Sequence, residues 1–126
     1  MKFELDLGAR WPIIRSYGTG EFLVGEQRLT TSLVLVRDQV RTDLLPDGMS
    51  RLGPAHLDAL CELGTDLLLI GSGARTCFLP QALLGRVLAR GIGCEVMTTP
   101  AACRSYNVLV AEGRSVAAAL FVMGAG

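Results

Sequence analysis

The sequence lacks the long apolar segments that would place it in a membrane or on the secretory route. The longest runs without a charged residue are residues 76–85 and 115–126, and both are shorter than the roughly 20 apolar residues of a transmembrane helix. Near the N-terminus, Glu4 and Asp6 interrupt what would be the apolar core of a signal peptide. We therefore expect a cytoplasmic protein without a membrane-inserted segment.

Cysteine and histidine are too few and too widely spaced for a recognisable metal site. The four cysteines are Cys61, Cys77, Cys94 and Cys103, and the only histidine is His56. Zinc sites use closely spaced pairs of such ligands, and none is present. Isolated cysteines of a cytoplasmic protein are mostly small core residues. We therefore expect no metal, no disulfide framework and no bound cofactor.

Excess charge of either sign is also absent. Twelve basic residues balance twelve acidic ones, and aromatic residues make up only 6% of the chain. Proteins that bind nucleic acids usually carry a clustered basic patch, whereas these arginines and lysines are scattered. Nucleic acid is therefore not an expected partner. The neutral balance leaves little repulsion between copies, which is compatible with a homo-oligomer.

The residues that are present indicate one α/β domain spanning residues 1–126. Half of the residues are hydrophobic, which is enough for a core in a chain of this length. The first half, up to about residue 45, consists of short apolar segments separated by glycine-containing turns, which predicts β-strands. A turn at residues 25–27 predicts a hairpin, and the continuous apolar run at residues 33–36 predicts a strand covered on both faces.

The second half alternates strands and helices. Strands are predicted at residues 67–70, 94–97 and 115–122, and helices begin at Pro54, Pro80 and Thr99. This order predicts crossover connections and parallel strands. We therefore expect a β-rich N-terminal half joined to a β-α-β-α-β open sheet with parallel strands.

The turn Gly71-Ser72-Gly73 follows the first of these strands. Dinucleotide-binding folds carry Gly-x-Gly-x-x-Gly between a strand and a helix, but here the third glycine position is Thr76. Glu95 lies about 20 residues after this turn, where that fingerprint places an acidic residue that binds the ribose. However, Glu95 falls inside a predicted strand. Three interpretations stay open for this segment: a tight strand-to-loop turn, a cradle for an anion or nucleotide, and a true dinucleotide site.

A second polar segment follows the strand at residues 94–97. Thr98 and Thr99 precede a helix whose N-terminus has free N–H donors, and Arg104 and Asn107 share one face of it. Because the carboxyl ends of parallel strands meet at one edge, this segment and residues 71–73 are expected to line one crevice. In the alternative interpretation Thr99 caps the helix, Arg104 is solvated and Asn107 bonds to a neighbouring loop.

No catalytic constellation is recognisable in the sequence. Cys103 lies in the first turn of the predicted helix, where a thiol pKa can be lowered. His56 is its only available histidine base and lies on a different helix. No catalytic residue is therefore assigned, and a binding protein is favoured over an enzyme.

Five segments of the chain carry a family resemblance: Tyr17-Gly18 with the short hairpin after it, residues 68–73, residues 91–103, Tyr106-Asn107 and residues 112–114. They resemble a family of unknown function that includes the mitochondrial respiratory complex I assembly factor number three and small bacterial and archaeal proteins. The resemblance implies a three-layer α/β fold, no catalytic residues, and contacts with proteins such as subunits of a respiratory complex. Without a transit peptide, the chain resembles a bacterial-type member.

Two functional hypotheses result. In the first, the chain is a non-catalytic protein-interaction domain similar to an assembly factor. In the second, it is a protein or enzyme that binds a small anionic ligand, such as a nucleotide or phosphate. The ligand would lie in the crevice between the turn at residues 71–73 and the N-terminus of the helix that begins at Thr99. The residues proposed for binding are Gly71, Ser72, Gly73, Thr98, Thr99, Arg104 and Asn107.

Overall fold

The computed structural model describes residues 14–37 and 39–123 and contains strands and helices in the predicted order. The first half forms β1 (Ile14–Gly18), β2 (Glu21–Val24), β3 (Gln27–Leu29), β4 (Leu33–Val36) and β5 (Gln39–Arg41). The second half forms α1 (Pro54–Cys61), β6 (Leu67–Gly71), α2 (Gln81–Leu88), β7 (Gly93–Met97), α3 (Thr99–Ala111) and β8 (Val116–Leu120).

The strands form two sheets. β1, β2 and β3 make a small antiparallel sheet, and the larger sheet has the order β5-β4-β8-β6-β7. β6 is parallel to both β7 and β8, which confirms the predicted open sheet with parallel strands. β4 comes from the first half of the chain and pairs with β8, so the two halves share one sheet.

Side chains on the two faces of the larger sheet enter different cores, which gives three layers. Leu68 and Ile70 pack with α1 and α2, whereas Leu69 packs with α3 and the small sheet. β4, which was predicted to be covered on both faces, also contributes to both cores, because Leu33 and Leu35 face one core and Val34 faces the other. Each such fully buried aliphatic side chain contributes about 2 kcal/mol to folding. The three-layer α/β architecture is thus confirmed.

The hairpin between β2 and β3 is tighter than predicted. Val24 pairs directly with Gln27, so the turn contains only Gly25 and Glu26 rather than residues 25–27. Gly25 has a φ of 59°, which is the left-handed conformation that two-residue hairpin turns require. The hydrophobic pattern alone does not distinguish a turn of residues 25–26 from a turn of residues 25–27.

The central strand β8 consists mainly of small residues. Ala117, Ala118 and Ala119 are all completely buried between β4 and β6. Ala118 faces α3, and its short side chain lets this helix approach the sheet closely, as the alanine-rich sequence predicts. Within the described residues, no helix combines the length and the apolar character that crossing a bilayer requires.

Candidate functional site

The two polar segments that were predicted to meet do meet, at the carboxyl edge of β6 and β7. The Thr99 N–H donates a 2.8 Å hydrogen bond to the Gly73 carbonyl, and the Gly73 N–H donates one of 2.8 Å to Thr99 Oγ1. The Ser72 N–H donates to the Met97 carbonyl at 2.8 Å. These bonds join the loop after β6 directly to the start of α3, so the two segments contact each other rather than facing each other across a gap.

The Thr99 hydroxyl lies at the centre of these contacts between the loop after β6 and the start of α3, which we call the joint. The residue is completely buried, and its Oγ1 also donates a 2.7 Å hydrogen bond to the Phe121 carbonyl. One hydroxyl thus connects the loop after β6, the N-terminus of α3 and the end of β8. Both the donor and one acceptor site of the hydroxyl are used inside the protein.

Gly71 is required by the close approach of α3 to the sheet. A Cβ atom at this position would lie 2.9 Å from both Cα and Oγ1 of Thr99, and 3.1 Å from Cβ of Ala102. Real side chains do not tolerate such distances to a backbone atom. The first glycine of the turn therefore has a packing role, in agreement with the tight-turn interpretation of this segment.

Ser72 and Thr98 use their hydroxyls locally. Ser72 Oγ donates to the Arg75 carbonyl at 2.6 Å and accepts from the Cys77 N–H at 3.1 Å, which closes the loop after β6. Thr98 Oγ1 accepts from the Ala101 N–H at 3.4 Å, so Thr98 is the N-cap of α3. The cap is thus one residue earlier than the alternative interpretation predicted.

A cavity of about 310 Å³ does lie beside the loop after β6. Ser72 and Gly73 line it together with Arg75 and Asp47, but Thr98 and Thr99 do not. The structure thus brings only one of the two predicted segments to this cavity. Anion binding there stays a prediction.

Asn107 and Arg104 attach α3 to the first strand. Asn107 Oδ1 accepts from the Ile14 N–H at 3.0 Å, and its Nδ2 donates to the Ile14 carbonyl at 2.9 Å. Arg104 Nη1 donates to the Tyr17 hydroxyl at 2.9 Å. The amide of Asn107 is thus bound at both ends to the backbone of β1 rather than to a loop, while the arginine remains exposed.

An open groove beside α3 was not predicted from the sequence. A groove of about 420 Å³ lies between β7 and α3, and we call it the β7–α3 groove. Its apolar lining consists of Leu67, Leu69, Met97, Val108 and Leu109. Val108 is 56% exposed although it is a large hydrophobic residue. The available signal in the sequence was a large apolar residue, Val108, between Arg104 on the predicted helix and Arg114 just after the end of that helix.

Charged residues surround this apolar lining. Arg104, Arg114 and Glu95 line the β7–α3 groove, and all three are exposed. In the part of the chain that the structure describes, neither arginine forms an ion pair with a carboxylate. The groove therefore carries a net charge of about +1. The Arg114 guanidinium group and the N–H groups of Arg104 that do not bond to Tyr17 are available for an acidic partner.

Cys94 and Cys103 are not activated nucleophiles. Burial raises the pKa of the Cys103 thiol to about 12 and that of the Cys94 thiol to about 11, whereas reactive thiols have lowered pKa values. Among residues 14–37 and 39–123, no three histidine, cysteine or acidic side chains lie close enough together to hold a metal ion.

Comparison with known families agrees with the resemblance seen in the sequence. The family model described as a protein of unknown function (DUF498/DUF598) matches residues 14–121, which include every strand and helix described above. The chain belongs to the DUF498/DUF598 family. A protein of Xanthomonas campestris solved by NMR is 36% identical to this chain and has a similar fold. That match has a TM-score of 0.82 and covers 100% of this chain and 96% of the other.

Curated relatives link this DUF498/DUF598 chain to a named protein. Human NADH dehydrogenase (ubiquinone) 1 alpha subcomplex assembly factor 3 is 32% identical over 114 residues, which is 85% of this chain and 59% of the human protein. An uncharacterised protein of Rhodobacter capsulatus is 50% identical over 58 residues, 46% of this chain and 47% of the relative. The matched part of the chain thus spans about half the length of these two relatives.

Proposed function

We propose that this chain acts through contacts with other proteins and helps to assemble a membrane-bound NADH dehydrogenase. The observation that carries this proposal is the 32% identity with the human assembly factor, because it extends over 85% of the chain. The family model matches residues 14–121, which contain both sheets and all three helices described above. The single-domain organisation and the cytoplasmic location expected from the sequence belong to the same proposal.

The chemistry of the described residues supports a binding role. The buried thiols have raised pKa values, and Thr99, Asn107 and Ser72 use their polar atoms inside the fold. We propose that Gly71, Ser72, Gly73, Thr98, Thr99 and Asn107 hold the structure together rather than contact a ligand. Of the residues predicted to bind, Arg104 is the one that we assign to a partner-binding surface.

Deletion of the gene in its native cell tests the proposal. We expect the amount of fully assembled NADH dehydrogenase to fall on a native gel, together with NADH:quinone oxidoreductase activity in the membranes. A plasmid copy of the intact gene should restore both. Normal amounts of the assembled complex in the deletion strain, under growth conditions that require it, would contradict the proposal.

A tagged full-length chain provides a second measurement. Purification in a mild detergent should enrich subunits of the NADH dehydrogenase during its assembly. A Leu88→Glu variant is the matched control, because Leu88 lies on α2, is 49% exposed and is remote from the β7–α3 groove. The control should enrich the same subunits. Recovery of the tagged chain alone, while the complex is being assembled, would count against the proposal.

A further inference from the structure

The outer edge of β7 presents unpaired backbone groups. β7 is the last strand of the larger sheet, and within the described residues only β6 pairs with it. The Gly93 N–H donates to the Asp66 carbonyl, and the Met97 carbonyl accepts from the Ser72 N–H. In a parallel pair, residues alternate between the two edges. The N–H and C=O groups of Cys94 and Val96 therefore point away from β6, where an added strand can bond to them.

The β7–α3 groove lies directly beside this edge. Glu95 and Met97 of β7 line it, and so do Val108 and Leu109 of α3. A strand added along β7 would place every second side chain on the α3 face of the sheet, where these residues lie. Backbone pairing and side-chain contact are therefore available to one extended segment at the same time.

The charges of the groove determine which residues the added segment should carry. Arg104 lies on α3 and Arg114 follows the C-terminal end of this helix, so the two arginines that line the groove are on the order of 10–15 Å apart. Alternate residues of an extended strand are separated by about 6.6 Å, so positions i and i+4 lie about 13 Å apart. Acidic residues at i and i+4 would reach the two guanidinium groups, and an apolar residue at i+2 would meet Val108 between them.

We propose that the β7–α3 groove binds an extended acidic segment of a partner protein, which adds to the sheet alongside β7. The segment has the pattern acidic-x-apolar-x-acidic. This inference rests on the proposed function, because it names the chemistry of the protein contact that the function requires. Glu95 lines the same groove, so it repels the acidic residues and limits the affinity.

A synthetic peptide tests the proposal directly. The probe is a fluorescein-labelled peptide, Gly-Ser-Glu-Thr-Leu-Thr-Glu-Ser-Gly, measured by fluorescence anisotropy against the full-length chain. A second probe carries lysine in place of both glutamates. We expect saturable binding of the acidic probe, weaker binding at high salt, and at least about tenfold weaker binding of the lysine probe.

Variants of the groove test the contribution of charge. Arg104→Glu combined with Arg114→Glu should weaken binding of the acidic probe about tenfold or more and strengthen binding of the lysine probe. Glu95→Gln should strengthen binding of the acidic probe severalfold, because it removes a repulsive carboxylate. Leu88→Glu is the matched control and should leave both affinities unchanged. Equal affinities across all these variants would overturn the proposal.

A proline substitution tests addition of a strand. Val96→Pro removes an N–H that points outwards, so the pairing with β6 is kept and the added strand is blocked. Val96→Thr is the matched control. We expect the first variant to remain folded by circular dichroism and to bind the acidic probe about tenfold more weakly, and the second to bind like the unmodified chain. Undiminished binding by a folded Val96→Pro variant would overturn strand addition.

Two further outcomes separate this inference from the proposed function. If the double arginine variant restores NADH dehydrogenase in the deletion strain and the probe does not bind, the groove proposal fails while the proposed function stands. If the probe binds but the deletion strain assembles the complex normally, the groove proposal stands and the proposed function fails. A third outcome is that the unmodified chain is a dimer, that the double arginine variant is a monomer, and that the probe does not bind. The groove would then bind a second copy of this chain, and the proposal would be overturned.

Discussion

The N-terminal edge of α3 and its groove-facing side use their polar groups in opposite ways. At the N-terminal edge, Thr99 is completely buried and bonds to the Gly73 N–H and the Phe121 carbonyl. Along the β7–α3 groove, Arg104 and Arg114 are exposed and form no ion pair with a described carboxylate. The first region contains the sequence motif that suggests a site, whereas the second contains no recognisable motif.

The difference teaches which polar residues are available to a partner. A glycine-rich turn after a strand binds an anion only when its N–H groups are free to do so, and the Gly73 N–H is bonded to Thr99. Basic and apolar side chains beside the outer edge of β7 are available without any change in the fold. Substitutions in the first region should therefore affect stability, and substitutions in the second should affect binding.

The largest effect on stability is expected for Gly71→Ala. The new Cβ would lie 2.9 Å from Thr99 Cα, so α3 must shift, and we expect a loss of about 3 kcal/mol in the free energy of unfolding. Urea denaturation measures this change. The control is Gly85→Ala in α2, which meets no atom within 4 Å and should be neutral or stabilising by about 0.5–1 kcal/mol. Similar stabilities of the two variants would refute the packing role of Gly71.

Thr99→Val should have the next largest effect. It leaves the Gly73 N–H and the Phe121 carbonyl without their partner in a buried place, which costs about 2 kcal/mol. Thr99→Ser keeps the hydroxyl and should lose much less. Hydrogen exchange at the Gly73 amide distinguishes the two, since only the valine variant should lose protection. If both variants retain protection, the joint does not depend on this hydroxyl.

Asn107→Ala should have a smaller effect that is confined to the contact between α3 and β1. The substitution removes two hydrogen bonds to Ile14, and we expect a loss of about 1 kcal/mol. The Ile14 amide should exchange faster in the variant. Ser105→Ala is the control on the same helix and should change the stability by less than about 0.5 kcal/mol. An unchanged Ile14 exchange rate in Asn107→Ala would contradict the role assigned to this amide.

The sequence predicts the architecture well because periodicity and turn residues determine it locally. The apolar run at residues 33–36, the glycine turn after residue 70 and Thr99-Pro100 at the start of α3 each indicate an element that the structure contains. The packing role of Gly71 was not predicted, since a 2.9 Å approach to Thr99 depends on how α3 lies on the sheet. The β7–α3 groove was missed because Val108 and Met97 are neighbours only in the folded chain.

The smallest effect on stability, and a large one on binding, is expected for Val108→Glu. Val108 is 56% exposed, so the substitution removes little buried surface and should change the free energy of unfolding by no more than about 0.5 kcal/mol. It places a carboxylate between Arg104 and Arg114, where it competes with an acidic partner. Anisotropy with the acidic probe should then show about tenfold weaker binding, while Leu88→Glu leaves binding intact. If Val108→Glu destabilises the chain as much as Gly71→Ala does, the groove is part of the core, and the distinction between a closed joint and an open surface fails.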